Sequence, residues 1–194
     1  MPRLFIAVEL PEEVKKALGR LQIDLRGGRW VPRDQLHLTL AFLGNQEDAL
    51  VGRLHEALTV LREAAFTLHL SSCGAFPDSR RPRVIWAGIQ PEQRLKHLAM
   101  RVQDVVAGCG VQLEERPFAP HITLARFKGP TDGVAVSGWI RGASNAVKQT
   151  MPVREFVLFE SRLTAGGAIH TPLARFPLTV KVDSPSHTLP TGAR

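Results

Sequence analysis

The chain has 194 residues, with a hydrophobic fraction of 44% and a charged fraction of 22%; this excludes a disordered or fibrous protein and leaves room for one sizeable core or two small lobes sharing one. No apolar run approaches the roughly 18–20 residues of a bilayer span, and Met1-Pro2-Arg3 leads into Leu4-Phe5-Ile6-Ala7-Val8 without a cleavage site, so a cytoplasmic protein with no membrane partner is expected. Two isolated cysteines, Cys73 and Cys109, exclude a disulfide framework and a zinc ribbon and read as buried thiols, while a net charge of +7 favours a polyanionic partner.

The first strand is expected at Leu4 to Glu9. A helix follows, with Pro11 in the first helical position, Glu12 and Glu13 at the positive end of the dipole, Val14, Leu18, Leu21 and Leu25 on one face, and Gly27-Gly28 as the stop. After Trp30-Val31-Pro32 comes a strand from Leu36 to Leu43, closed by Gly44. Asn45 reads as the N-cap of a second helix whose stripe is Leu50, Leu54, Leu58 and Leu61. Strands at about 66–75 and 83–89 flank a turn-rich loop, residues 76–82, and are expected to pair as a long-looped hairpin. Pro91 opens a third helix with Leu95, Leu98, Val102 and Val105 or Val106 inward, ended by Gly108 and Gly110. Strand patterns return at 121–127 and 153–163, then a Gly166-Gly167 turn and a hairpin partner from Ile169 to Val182. A glycine-rich helix around Val134, Trp139 and Ile140 is expected between them. The sheet should be mostly antiparallel, residues 1–183 should form one domain, and residues 184–194 should form a mobile tail.

One tetrapeptide pattern occurs twice, as His37-Leu38-Thr39-Leu40 and as His121-Ile122-Thr123-Leu124. With only seven histidines in the chain, two copies of His-apolar-Thr-apolar are unlikely to arise by chance. Strand alternation places His37 and Thr39 on one face and Leu38, Leu40 and Phe42 on the other, and separates His121 and Thr123 from Ile122 and Leu124 in the same way. Each strand thus offers one imidazole beside one hydroxyl, and two such strands facing one another make a cleft. Opening a phosphodiester requires a proton acceptor, a proton donor and donors for the phosphoryl oxygens, a set that two histidines and two threonines supply. Imidazole suits both proton roles because its ordinary pKa is about 6.5. Neither motif brings further ligands at metal spacing, so no metal and no other cofactor is expected. His55 and His97 fall outside the helical stripes and His69 lacks a matching threonine; none is assigned a role.

On these residues the chain resembles the 2H phosphoesterase superfamily, and within it the bacterial and archaeal RNA 2′,3′-cyclic phosphodiesterases formerly called 2′-5′ RNA ligases. Arg3 to Pro11, Trp30 to Gly44, Pro82 to Gly88, Pro120 to Arg126 and Leu158 to Leu163 carry the similarity in order. The resemblance implies an α+β, bilobal fold of two pseudo-symmetric lobes, each of mostly antiparallel strands backed by helices, with the active site in the groove between them. It implies hydrolysis of a terminal 2′,3′-cyclic phosphate on RNA to a 2′-phosphate, with a reversible 2′-5′ joining activity; a monomer is expected. His37 is expected as general acid and His121 as general base, with Thr39, Thr123 and Arg126 binding the phosphate. Strict alternation from His121 puts Arg126 on the opposite face, so it reaches the groove only where the strand twists, bulges or ends. Relatives tend to carry tyrosine in the segment where this chain has His170, and this chain has no tyrosine. Two other readings are a phosphodiesterase of 2′-5′ oligonucleotides or small cyclic nucleotides, and a non-catalytic module that binds RNA ends.

Overall fold

The computed structural model describes residues 1–114, 117–164 and 167–179; the expected tail at 184–194 and residues 180–182 of the last strand lie outside these. Apolar Leu4 to Val8 are all buried within β1 (Arg3–Glu9), which runs in the interior of the sheet between β3 (His37–Asn45) and β8 (Glu155–Thr164). Even-numbered Leu4, Ile6 and Val8 face the main core, and odd-numbered Phe5 and Ala7 join Val157 and Phe159 in a small cluster on the other side.

The other strands are β2 (Gly28–Trp30), β4 (Phe66–Phe76), β5 (Val84–Gln90), β6 (Ile122–Phe127), β7 (Thr150–Val153) and β9 (Gly167–Pro177). Together they form one sheet in the order β7-β4-β5-β6-β3-β1-β8-β9, with β2 added to β6 and every strand pair antiparallel. The helices are α1 (Glu12–Gly19), α2 (Asp48–Thr59), α3 (Glu92–Gly108) and α4 (Gly133–Ala146). The architecture is α+β, and its two halves repeat: β1-α1-β3-α2 has the same order of elements as β5-α3-β6-α4. Consecutive β7 and β8 lie in opposite halves of the sheet, so the sheet curls until its far strands approach. The backbone bonds Leu178 N to Arg154 O, 2.7 Å, and Thr179 N to Glu63 O, 2.8 Å, close that end. No helix among the described residues is long and apolar enough to cross a membrane.

The halves meet at the single ladder pair Leu38–Ile122 between β3 and β6, both 0% exposed. Beyond it the two edges are satisfied separately. β2 takes the edge of β6, Val31 N donating to Leu124 O at 2.8 Å, and Gln103 of α3 donates to Leu40 O at 2.8 Å. The burial pattern of residues 37–43 is repeated position for position over 121–127: half-buried, buried, half-buried, buried, buried, exposed, buried. Two buried residues in succession mark a β-bulge in each copy. Leu40 is the extra residue between the pairs Ile6–Ala41 and Ala7–Thr39, and Leu124 is the extra residue between Ile85–Ala125 and Trp86–Thr123.

Several expectations are corrected. The bulge at Leu40 resets the alternation, so Phe42 does not share the buried face of Leu38 and Leu40 but is 60% exposed on the side of His37. The first helix ends at Gly19, a residue that costs helix about 1 kcal/mol relative to alanine, and Leu21 and Leu25 pack from the following coil. Asn45 is the last residue of β3 rather than a cap; α2 begins after Glu47 with no side-chain cap. The strand expected at 153–163 is β8, which begins at Glu155; Val153 instead ends the separate strand β7, which pairs with β4 while β8 pairs with β1. In α4 the inward residues are Val136, Trp139 and Ala143, whereas Val134 is 83% exposed; the helix tolerates its glycines because Asp132 caps it, accepting from Val134 N and Ala135 N. Cys73 is buried, Cys109 only partly.

The stripes of α2 and α3 fall as expected, with Leu50, Leu54 and Leu58 on one and Leu95, Leu98, Val102 and Val106 on the other all buried; Val105 is only partly so. β4 and β5 form the expected hairpin. There the Trp86 ring lies over Gly74, whose missing Cβ would stand 2.2 Å from Trp86 Cζ2. Gly74→Ala should therefore destabilise the fold by about 1–3 kcal/mol through overpacking. Urea denaturation followed by tryptophan fluorescence checks this, and an unchanged midpoint would count against the packing described.

Candidate active site

Above the aromatic floor of Phe5, on the face opposite the helices, runs a groove of about 750 Å³ lined by His37, Thr39, His121, Thr123, Arg126 and His170, among others. The cleft exists because Leu38 and Ile122 point into the core side by side, which turns the side chains of their neighbours to the opposite face. Phe5 of β1 and Val84 of β5 line equivalent places in the two halves: Phe5 pairs with Phe42 and Val84 with Arg126.

Each catalytic candidate is held by the same local bond. His37 Nδ1 lies 2.7 Å from Gln35 O, and His121 Nδ1 lies 2.7 Å from Ala119 O. A carbonyl can only accept, so in each ring Nδ1 carries the hydrogen and Nε2 is the atom left to exchange protons. Gln35 has a second task. Its side-chain amide donates to Ala168 O, tying the short turn Arg33–Gln35 to β9, so one residue restrains both His37 and the strand beside it.

The two imidazoles sit in different fields. Burial pushes His37 down to about 4, against the hydrogen bond to the Gln35 carbonyl, which raises it; the positive fields of His170, Arg126 and His121 lower it further. His121 is lowered chiefly by burial and then by Arg126, with the Ala119 carbonyl opposing. Burial thus favours the neutral form of both rings, and an anion close by would favour the charged form.

Arg126 does reach the groove. The bulge at Leu124 changes the phase of β6, so that Arg126 emerges on the side of His121 and Thr123 rather than opposite them. It stands at the position that Phe42 occupies in the other half, and it faces Arg29 across the β2–β6 pair. Like charges directly opposite on neighbouring strands repel, a cost that a bound anion would offset. Neither arginine has an ion-pair partner among the described residues. Arg3 is the second arginine of the groove lining, beside Arg126, and Glu114 adds a carboxylate.

Three aromatic groups without an assigned role in the sequence complete the site. His170 of β9 lies edge-on to His37, ring centroids 5.3 Å apart, and edge-on to Phe5 at 4.9 Å. Its Nδ1 is buried and has no hydrogen-bond partner among the described residues, so a hydroxyl or phosphate oxygen entering the groove would relieve a buried polar atom. Burial lowers its pKa and the field of Asp34 raises it. Phe5 stacks against Phe159 at 5.0 Å and touches the His37 ring at 4.9 Å; Phe76 meets His121 edge-on at 5.1 Å. Repeated motifs cannot flag Phe5, Phe76 or His170, because their strands carry no second copy of the pattern. His55, His69 and His97 lie elsewhere on exposed surface, His97 beside Glu63 at 3.2 Å. Among the described residues no three His, Cys, Asp or Glu side chains cluster as a metal site.

A family model described as LigT-like phosphoesterase matches residues 8–86 and 88–170. The chain is 38% identical over 186 residues to a protein from Thermus thermophilus named RNA 2′,3′-cyclic phosphodiesterase, covering 91% of this chain and 90% of that one. It is 33% identical over 180 residues to a protein of the same name from Geobacillus stearothermophilus, covering 90% of this chain and 56% of that longer relative. The crystal structure of Escherichia coli LigT complexed with 3′-AMP superposes with a TM-score of 0.75 at 33% identity, over 92% of this chain and 98% of that one.

The depressed histidines make stability depend on pH. Between about 6.5 and 4 the unfolded chain binds a proton at residue 37 that the folded chain refuses, so stability is full above that window and falls as pH falls through it. Thermal melts should show this decline, and His37→Gln should flatten it; an equal decline in the variant would show that His37 is not its source.

Proposed function

Because the chain belongs to the LigT-like phosphoesterase family, we propose that it hydrolyses the 2′,3′-cyclic phosphate at the end of an RNA to a 2′-phosphomonoester, using two imidazoles and no metal ion. The observation that carries this reading is the twofold repetition of the site: two Nδ1-restrained histidines, each beside a threonine, brought side by side by the Leu38–Ile122 pair. A phosphodiester anion has a matching near-twofold symmetry, with two non-bridging oxygens and two in-line positions for the entering and leaving oxygens. In this reading Thr39, Thr123 and Arg126 hold the non-bridging oxygens, the arginine by charge-assisted bonds.

His121, the histidine beside Arg126, takes a proton from water through Nε2 as the water oxygen bonds to phosphorus. The bond from phosphorus to the ribose 3′ oxygen breaks, and His37, protonated in the field of the bound phosphate, gives its proton to that oxygen. Burial keeps His37 hard to protonate, which makes its conjugate acid a strong donor once formed. The products are a 2′-monoester and a free 3′ hydroxyl, and exchange with solvent restores the two protonation states. Strain in the five-membered cyclic ester lowers the demand on the catalyst. With a 5′ hydroxyl in place of water, the same groups would bond its oxygen to phosphorus as the bond to the 3′ oxygen breaks and that oxygen is protonated, giving a 2′-5′ link; the reverse step would cleave that link and re-form the cyclic end. Both histidines come from one chain, so the reaction needs no second copy.

An RNA oligonucleotide with a cyclic end should be hydrolysed in the presence of EDTA, with the 2′-phosphate as product. His37→Ala and His121→Ala should each abolish turnover, while Thr39→Ala and Thr123→Ala should each cost about 3 kcal/mol in the barrier or less. A substrate whose leaving oxygen is replaced by sulfur should rescue His37→Ala far better than His121→Ala; rescue of His121→Ala instead would reverse the roles. Loss of activity on chelation would defeat the metal-free mechanism.

The pH–rate profile should be bell-shaped. The phosphate anion raises both imidazoles, so both limbs of kcat, which belong to the loaded enzyme, should lie at higher pH than those of kcat/KM, which belong to the empty groove. Coincident profiles would contradict the role given to the bound anion.

A further inference from the structure

We propose that a second, basic cleft beside the active-site groove binds the phosphodiester backbone of the RNA a short way from its reacting end. The proposal rests on the reading of the groove as an RNA-end site and extends it to a substrate longer than a mononucleotide. The cleft has a volume of about 750 Å³ and is lined by Arg80, Arg81, Arg83 and Lys128 together with Phe127 and Thr131.

It is continuous with the active site through two paired strands. Val84 and Arg126 are register partners and both line the groove; one residue further along, Arg83 and Phe127 line the second cleft, joined by the bond from Phe127 N to Arg83 O at 2.9 Å. From Arg126 to Lys128 is two residues, or about 7 Å at strand spacing. A chain of phosphates leaving the groove past Arg126 therefore meets further cations at once.

The cleft is held in shape before any ligand arrives. Asp78 Oδ1 accepts from the backbone of Arg80 at 2.7 Å and of Arg81 at 3.1 Å, which fixes the turn carrying both arginines. Gly133, at the start of α4, packs so closely on that turn that a Cβ there would stand 2.8 Å from Arg80 O. The opposite wall is tied down by the bond from Lys128 N to Gly27 O at 3.2 Å. The nearby carboxylates, Asp78 and Asp132, are occupied by backbone donors, and no ion pair to Arg80, Arg81, Arg83 or Lys128 exists among the described residues. The four guanidinium and ammonium groups outnumber the Asp78 carboxylate whose field Arg80 and Arg81 share, so a net positive charge remains in the cleft, and a polyanion is the ligand class that it favours. The one aromatic ring among its lining residues, Phe127, is mostly buried in the core, so the cleft offers charge rather than an aromatic stacking surface.

The test compares two substrates with the same cyclic end, a dinucleotide and an RNA of about 12 nucleotides, in the wild type and in the triple variant Arg80→Ala, Arg81→Ala, Lys128→Ala. For the longer RNA, kcat/KM at low salt should fall by roughly tenfold or more, and the slope of log affinity against log salt should shrink by about 2, near 0.7 per lost contact. The dinucleotide should be cleaved at the wild-type rate. Equal losses on both substrates, or none on the longer, would overturn the proposal. Binding of an unreactive RNA of the same length with a 2′-phosphate end, read by fluorescence anisotropy, separates this from the catalytic reading. Binding that grows with length and weakens in the variant supports the cleft even if no cyclic end is hydrolysed; binding that ignores both refutes it whatever the turnover.

Discussion

The contact on which the site depends is the pairing of Leu38 with Ile122. It is the one ladder pair between β3 and β6, and both side chains lie wholly inside the core shared by the helices. Burying each contributes about 1.5–3 kcal/mol, but the geometric result matters more than the energy. In an extended strand a buried residue forces its neighbours to the other face, so drawing these two inward presents His37 with Thr39, and His121 with Thr123, to one groove. The polar constellation is positioned by residues that never touch a ligand.

Around that joint the two bulges do the remaining work. Without the extra residue at Leu124, Arg126 would point into the core side of β6, where an unpaired guanidinium is not tolerated. The same insertion at Leu40 brings Phe42 out beside Phe5, 6.3 Å between ring centroids. The aromatic and aliphatic floor around the histidines then withdraws them from water, which is why both are lowered. Packing, register and acidity are consequences of one another here.

The parts of this arrangement visible in the amino-acid sequence are those written as local patterns. The duplicated tetrapeptide exposes the two histidines and threonines because a strand has period two, and the leucine stripes of α2 and α3 expose their buried faces because a helix has period 3.6. Arg126 was identifiable only through resemblance, since the alternation rule by itself sends it the wrong way, and a bulge leaves no composition signal. The same rule sends Phe42 to the buried face, and the bulge at Leu40 reverses it. The carbonyls of Gln35 and Ala119 are backbone atoms, equal in every residue, so their grip on the imidazoles could not be read at all. The hairpins β4–β5 and β8–β9 that carry Phe76 and His170 are legible in the sequence, but that these two residues face the groove depends on β5 pairing with β6 and β8 with β1, which local pattern does not reveal. The end of α1 at Gly19 is hidden in the sequence because Leu21 and Leu25 keep the helical spacing while packing from coil.

The matching burial patterns of residues 37–43 and 121–127 differ at their exposed sixth position, where one copy has Phe42 and the other Arg126. A cradle of perfect twofold symmetry would hold a diester equally well in either of two opposed senses, since rotation would exchange the ends without changing a contact. An aromatic ring and a guanidinium cannot be exchanged in that way. The two senses therefore differ in energy, and a groove assembled from equal halves acquires a direction, as a polymer with distinct 5′ and 3′ ends requires of anything that handles it from one end.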